Sequence, residues 1–211
     1  MKKKALVLVQ GISNKDNYIK DALLTSDFNL DSYDEWVTAK TEKALDGLFE
    51  KVTFGLTSFI GIVDRFGDPI RYLFSEKHRK AACRAVNKEV KKLIDSGYEV
   101  DILAHSLGTI IALTSGTTKN MIQINNFYSF GSPLGSAFFS GLFRRHVQKY
   151  IYGINIKNMY YGWNRKDIIS KKPLKQRFVN SLFLYVANFK NYKIGDGHSL
   201  SNYLNAFAAV V

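Results

Sequence analysis

Residues 104–109 read AHSLGT, and they place Ser106 between His105 and Leu107. A serine hydroxyl is a poor nucleophile at its own pKa. It needs a neighbouring base, and the base needs an acid to orient it and stabilise its charged form. A serine presented for attack on a sharp strand-to-helix turn also needs small residues two positions away on each side, because strand and helix approach closely there. Ala104 and Gly108 meet that need. The pattern is short enough to recur by chance, so the partners decide.

Only His146 and His198 follow Ser106, and the only carboxylates that follow it are Asp167 and Asp196. His146 lies in the basic, aromatic stretch FRRHVQKY. His198 lies in GDGHSLSNYL, a glycine-rich loop between a predicted strand and a terminal helix, where a loop-borne base belongs. Asp167 lies in WNRKDII, directly after the predicted strand INIKNMYYG. Asp196 is two residues from His198, too close to come from a separate strand end. Ser106, Asp167 and His198 therefore form the expected nucleophile, acid and base, in one of the chain orders known for such triads.

An oxyanion hole needs two backbone N–H groups aimed at the developing charge. Leu107, directly after the nucleophile, supplies the first. The loop VQGIS supplies the second through Ile12 or Gly11. His105 reads as a buried, hydrogen-bonded scaffold residue rather than a second base. Asp101 precedes Ser106 on its strand and reads as structural. No Cys/His cluster or HExxH pattern is present, and a serine supplies the covalent intermediate itself, so neither metal nor cofactor is expected.

These residues have to be positioned. Ala5–Val9 is apolar without alternation and predicts a buried strand. Asp31 or Ser32 would cap a helix running to about Phe49, with Trp36, Val37, Ala44, Leu45 and Leu48 on one face. A strand near Val52–Thr57 and a loop through Arg65, Gly67, Asp68 and Pro69 follow. Ala82, Val86, Val90, Leu93 and Ile94 repeat at helical spacing and predict a helix over Lys77–Ser96, stopped by Gly97. The strand EVDIL leads into AHSLGT, then a helix to about Thr118. Ile124–Phe130, Ile151–Tyr161 and Leu182–Phe189 predict three more strands. Strands separated by helices give an α/β fold, with a mostly parallel central sheet and helices on both faces, in a single domain over 1–211. Chemistry in such sheets collects at the carboxyl ends of the strands.

A hydrophobic content of 46% and an aromatic content of 14% exclude a disordered chain. No apolar run approaches the roughly 18–20 residues of a membrane span. The start, MKKKALVLVQG, has an apolar core shorter than the ~7–15 residues of a signal peptide and no cleavage site, so a cytoplasmic protein is expected. The lone Cys83 cannot form an internal disulfide, which fits a reducing compartment. The net charge of +12 predicts attraction to anionic partners. From Ser136 to Lys175 there are nine Lys or Arg against one acidic residue, Asp167. Within it, 136–162 combines Phe138, Phe139, Leu142 and Phe143 with Arg144, Arg145 and Lys149. That segment could be a lid that meets an acyl chain, with 136–175 meeting an anionic membrane surface, or its aromatics could be core and its charges simply solvated. No nucleic-acid motif is present.

ALVLVQGIS, DILAHSLGT, FYSFGSPLG, GWNRKDII and GDGHSLSNYL resemble the successive blocks of the α/β-hydrolase superfamily, and are most similar to its small serine esterase and lipase-like members. The resemblance runs from about Lys4 to about Leu204. It implies a serine hydrolase acting on carboxylic esters, small-molecule or lipid, without a cofactor. The same triad would also serve an acyltransferase, a thioesterase or a peptidase, and a hydrolase scaffold can carry a non-catalytic binding protein that uses its basic face. Two substitutions depart from the pattern: Gln10 stands where histidine is common, and Ala104 replaces the usual first glycine. The two antiparallel strands that often open the fold are expected to be missing.

Overall fold

The computed structural model describes residues 2–11, 18–39, 41, 72, 75–116, 121–136, 140–167, 169–182, 185–194 and 197–209. Within them the strands are β1 Lys4–Val9, β2 Glu35–Thr38, β3 Glu99–His105, β4 Ile122–Phe130, β5 Ile154–Trp163 and β6 Val186–Lys193. They form one six-stranded sheet in the order β2-β1-β3-β4-β5-β6, and every neighbouring pair is parallel. No antiparallel pairing occurs among the described residues.

β1 and β3 lie inside the sheet and are buried on both faces, which is why they read as unbroken apolar runs. Successive residues point to opposite faces. Ala5, Val7, Val9, Val100, Ile102 and Ala104 join a core with helix α2 (Glu76–Asp95), helix α3 (Leu107–Leu113) and helix α4 (Ser140–Tyr150). Leu6, Leu8 and Leu103 point the other way, into a core built with helix α1 (Tyr18–Leu24) and helix α6 (Leu200–Ala208). A short helix, α5 (Gln176–Asn180), precedes β6.

Four expectations change. The helix expected from Asp31 does not start there: Leu30–Ser32 is a single 3-10 turn, and Glu35–Thr38 is a strand paired with β1 from Ala5↔Glu35 to Leu8↔Thr38. Trp36 and Val37 then pack into opposite cores, as strand residues do. Both are good strand formers, and pairing with β1 overrides their helical spacing. The rest of that expected helix beyond Thr41, the strand near Val52–Thr57 and the loop over 65–69 lie outside the described residues.

The helix after AHSLGT ends at Leu113, and the Thr114 and Ser115 hydroxyls donate to the carbonyls of Ile110 and Ala112 in its last turn. The last strand begins at Val186 rather than Leu182. Leu182 still belongs to a turn there, with its N–H on Val179 O and the Val186 N–H on Leu182 O. Finally, residues 154–162 of the segment expected as a lid are strand β5, bonded to β4 on one side and β6 on the other. A strand held on both sides cannot open as a lid. Phe143 and Val147 of α4 are core, and Phe138 and Phe139 lie outside the described residues. No described helix is long and apolar enough to cross a membrane.

Candidate active site

β3 passes into α3 through Ser106, whose φ of 53° and ψ of −131° make it the one non-glycine residue with positive φ among the described residues. Such a conformation costs about 1–3 kcal/mol and persists only when its surroundings hold it. Here the Ser106 N–H donates to Phe130 O at the end of β4 (3.0 Å), and the Thr109 hydroxyl and N–H both donate to Ser106 O. Thr109 Oγ1 also lies 2.7 Å from Ser132 Oγ, so the GSPLG turn after β4 braces the serine turn from below. A Cβ on Gly108 would come 2.2 Å from Val9 O. Only glycine lets α3 start this close to the end of β1.

Gly11, just past β1, lies against this turn. A Cβ on Gly11 would sit 2.9 Å from Leu107 N and 3.1 Å from Ser106 Cβ. Residue 11 therefore approaches the Leu107 amide this closely only because it has no side chain. Ile12, the other donor expected from this loop, lies outside the described residues.

Asp167 follows β5 in a turn shaped by Asn164, whose Oδ1 accepts the N–H groups of Lys166 (2.9 Å) and Asp167 (2.8 Å). Short polar side chains make such turns by bonding the backbone a few residues on. The Asp167 carboxylate is fully buried. Its Oδ1 accepts the Ile169 N–H (2.8 Å), and its Oδ2 accepts His198 Nδ1–H (2.9 Å) and the Tyr203 hydroxyl (2.7 Å). Burial alone would push its pKa up. The bond and charge of His198, with the Tyr203 hydroxyl and the Ile169 amide, outweigh burial and hold it below the usual carboxylate range.

His198 lies in the loop between β6 and α6, and three side chains from three elements pin that loop. Asn164 Nδ2 donates to Gly197 O (2.8 Å), His105 Nε2 donates to His198 O (2.9 Å), and Tyr18 of α1 accepts the Leu200 N–H (2.7 Å). The ring then has Nδ1 on Asp167, and Nε2 3.2 Å from Ser106 Oγ. The His198 side chain is 37% exposed while that of Asp167 is 0% exposed, so an incoming molecule can reach the imidazole but not the carboxylate. Gly131 makes room for both imidazoles: its φ is +60°, and a Cβ there would approach His105 Nε2 to 2.9 Å and His198 Cε1 to 3.0 Å.

His105 is fully buried, with its ring 4.8 Å from that of His198. Burial first, then the neighbouring His198, push its pKa down to about 3. It is neutral at ordinary pH. Because its partner is a carbonyl, Nε2 carries the proton. Asp101 ties β3 to its surroundings by accepting both Asn126 N–H groups and the Tyr33 hydroxyl. His146 is buried on α4 beside Tyr72 and Tyr150, and Asp196 lies outside the described residues. No group of three or more His, Cys, Asp or Glu that could hold a metal occurs among the described residues.

Sequence reasoning did not find Asn164, Tyr203 or Tyr18. Asn164 carries a usable signal, since an asparagine three residues before a loop aspartate favours a side-chain-capped turn. Tyr203 and Tyr18 carry no such signal, because nothing local marks their hydroxyls as partners of Asp167 and of the His198 loop. Together, the serine, the imidazole and the buried ionised carboxylate form a chain along which a proton can leave the hydroxyl as its oxygen attacks a carbonyl.

No family model matches the chain, and no curated protein matches its sequence. Among solved structures, Est1E from Butyrivibrio proteoclasticus is similar, with a TM-score of 0.52 at 12% identity over 99% of this chain and 85% of that one. Est1E with ferulic acid bound gives a TM-score of 0.51 at 14% identity over 99% and 86%. The Pyrococcus furiosus esterase Pf2001 has a TM-score of 0.47 at 13% identity over 94% and 74%. At such identity the likeness to Est1E is one of fold, and the chain has the α/β-hydrolase fold.

Proposed function

We propose that this chain is a serine hydrolase of carboxylic esters, with Ser106 as nucleophile, His198 as general base and Asp167 as the acid that orients it. The observation that supports this most is that one imidazole lies within hydrogen-bonding reach of both a serine on a positive-φ turn and a buried carboxylate. His198 Nε2 takes the Ser106 proton as Oγ bonds to the ester carbonyl carbon. The carbonyl oxygen becomes an oxyanion, received by the Leu107 N–H and by a second donor, Gly11 or Ile12. His198 then gives its proton to the departing alcohol oxygen, leaving an acyl-serine. Water enters, His198 takes its proton, and the acid leaves as Ser106 recovers its hydrogen. Asp167 keeps the proton on Nδ1 throughout and stabilises the imidazolium.

Gly11 has a role in this scheme. An oxyanion held at roughly 2.7–3.1 Å from its donors would occupy the space that a side chain at position 11 would fill. Ferulic acid, bound to Est1E, is a carboxylic acid, the class of product this reaction releases, so feruloyl esters belong in the first assay beside short and long acyl esters. The test is turnover of that series by the native chain and by His198→Ala. Turnover that survives unchanged in the variant on every ester would overturn the reading.

A further inference from the structure

From Leu107 to the last residue the chain carries thirteen Lys or Arg and two carboxylates. One of the two, Asp167, is buried and bonded within the site, so it offers no counter-charge to the surface. The cations are gathered by the fold. α4 and the segment 171–181 form one surface, because Arg144 Nε donates to Leu134 O with its guanidinium over the Phe178 ring, Gln148 Nε2 donates to Ser181 Oγ, and the Lys172 N–H donates to Gly135 O.

On that surface Arg145, Lys149, Lys171, Lys172, Lys175 and Arg177 are exposed, and none makes an ion pair among the described residues. Leu142 is 45% exposed, three residues before Arg145 and seven before Lys149, on the same stripe of α4.

This surface borders the reactive end of the sheet. Ser132, which braces the serine turn through Thr109, leads directly into Leu134 and Gly135, the carbonyl partners of Arg144 and Lys172. Lys171 and Lys172 follow Asp167 by four and five residues. Leu174 is tied by two bonds to Asn191, near the carboxyl end of β6.

We propose that this cationic surface docks the protein on an anionic phospholipid bilayer, with Leu142 entering the headgroup region and the Ser106 end of the sheet turned toward the lipid. Juxtaposed cations draw a surface to anionic headgroups. An exposed leucine in the same stripe gives the apolar contact that a helix lying at an interface uses and that a row of nucleic-acid phosphates has no use for. Docking stands on charge and exposure alone. That the ester is drawn from the same bilayer rests on the hydrolase reading.

Co-sedimentation of the whole chain with vesicles tests this. Binding is expected to vesicles of equal parts phosphatidylcholine and phosphatidylserine, not to phosphatidylcholine alone, and to fall with salt. Each surface cation contributes about 5-fold, so Lys171→Gln, Lys172→Gln and Lys175→Gln combined should weaken binding about 100-fold, and Leu142→Ser should weaken it separately. Circular dichroism checks that both variants fold. Equal binding to neutral vesicles, binding unchanged by the triple variant, or no binding to either vesicle overturns the proposal. So does tighter binding to a single-stranded or double-stranded oligonucleotide at the same salt, which would give the surface to nucleic acid. Loss of ester turnover as a property of the native chain would remove the hydrolase reading and leave vesicle binding untouched, so the two failures are separable.

Discussion

The Tyr203 hydroxyl and His198 Nδ1–H meet on one oxygen, Asp167 Oδ2, at 2.7 and 2.9 Å. Burial first, then Asp167, raise the Tyr203 pKa far above its ordinary value, so it remains a donor at every working pH. It takes up part of the carboxylate charge that would otherwise act on His198. In Tyr203→Phe the carboxylate loses that donor and becomes more basic. The Asp167 pKa, followed by carboxyl NMR, should rise toward the usual carboxylate range, because one of the bonds that hold it down is gone. An unchanged Asp167 pKa would mean that the hydroxyl does not support the charged carboxylate. The loss of a bond to a charged group should also cost about 1.5–3 kcal/mol of stability, measurable by urea unfolding.

Ser106 bears a conformational cost that glycine would not. Ser106→Ala keeps the positive φ and so the cost, and it should lower kcat by about 10⁶-fold, as removing the nucleophile does in such triads. Ser106→Gly should be equally inactive but more stable than Ser106→Ala by about 1–3 kcal/mol, offset in part by the glycine's greater freedom when unfolded. Equal unfolding midpoints for the two variants would show that the turn is not strained.

Gly11 lies against the Leu107 amide. A methyl group in Gly11→Ala would lie 2.9 Å from Leu107 N, where the oxyanion should be received. Losing that donor should reduce kcat about 10²–10³-fold with little change in the circular dichroism spectrum. A kcat within a few fold of the native value would place the oxyanion elsewhere.

Two buried histidines set the acid side of stability. Burial pushes His105 to about 3 and His146 to about 4, both from an ordinary 6.5. Their folded pKa values are depressed, so each is neutral in the folded chain while the unfolded chain takes up protons. Stability is full above the ordinary histidine value. It falls as pH drops below that value, until each folded pKa is reached. Asp167, also depressed, adds a loss only below the ordinary carboxylate range. Between about pH 6 and pH 4 the slope should approach two protons, about 2.7 kcal/mol per pH unit. His105→Gln, which retains a donor for His198 O, should halve it. An unchanged slope by urea unfolding at stepped pH would show that His105 is already charged in the fold.

The sequence led to Ser106, Asp167 and His198 through chain order and strand ends, and the fold brings their side chains together. The reason is physical: in a parallel sheet all strands finish on one side, so residues just past β3, β5 and β6 are neighbours by topology. Leu107 and Gly11 come together for the same reason, each just past a strand end. β2 was not legible, because an edge strand is fixed by its partner, and Trp36 and Val37 suit either helix or strand until β1 is placed beside them. The expected 136–162 lid reaches too far, over the strand that the same run predicts at Ile151–Tyr161; its 154–162 part is β5, held by β4 and β6. Tyr203 and Asn164 act across 36 and 33 residues of sequence, and such pairs become visible only once the loops have been folded onto each other.

The most direct measurement is covalent labelling of the native chain with a fluorophosphonate, which reacts with an activated serine, followed by mass analysis of its peptides. The adduct should fall on the peptide bearing Ser106, at that residue, and be absent in Ser106→Ala and strongly slowed in His198→Ala. A folded native chain that remains unlabelled at Ser106, or labels there just as fast without His198, would contradict the assignment of these residues as nucleophile and base.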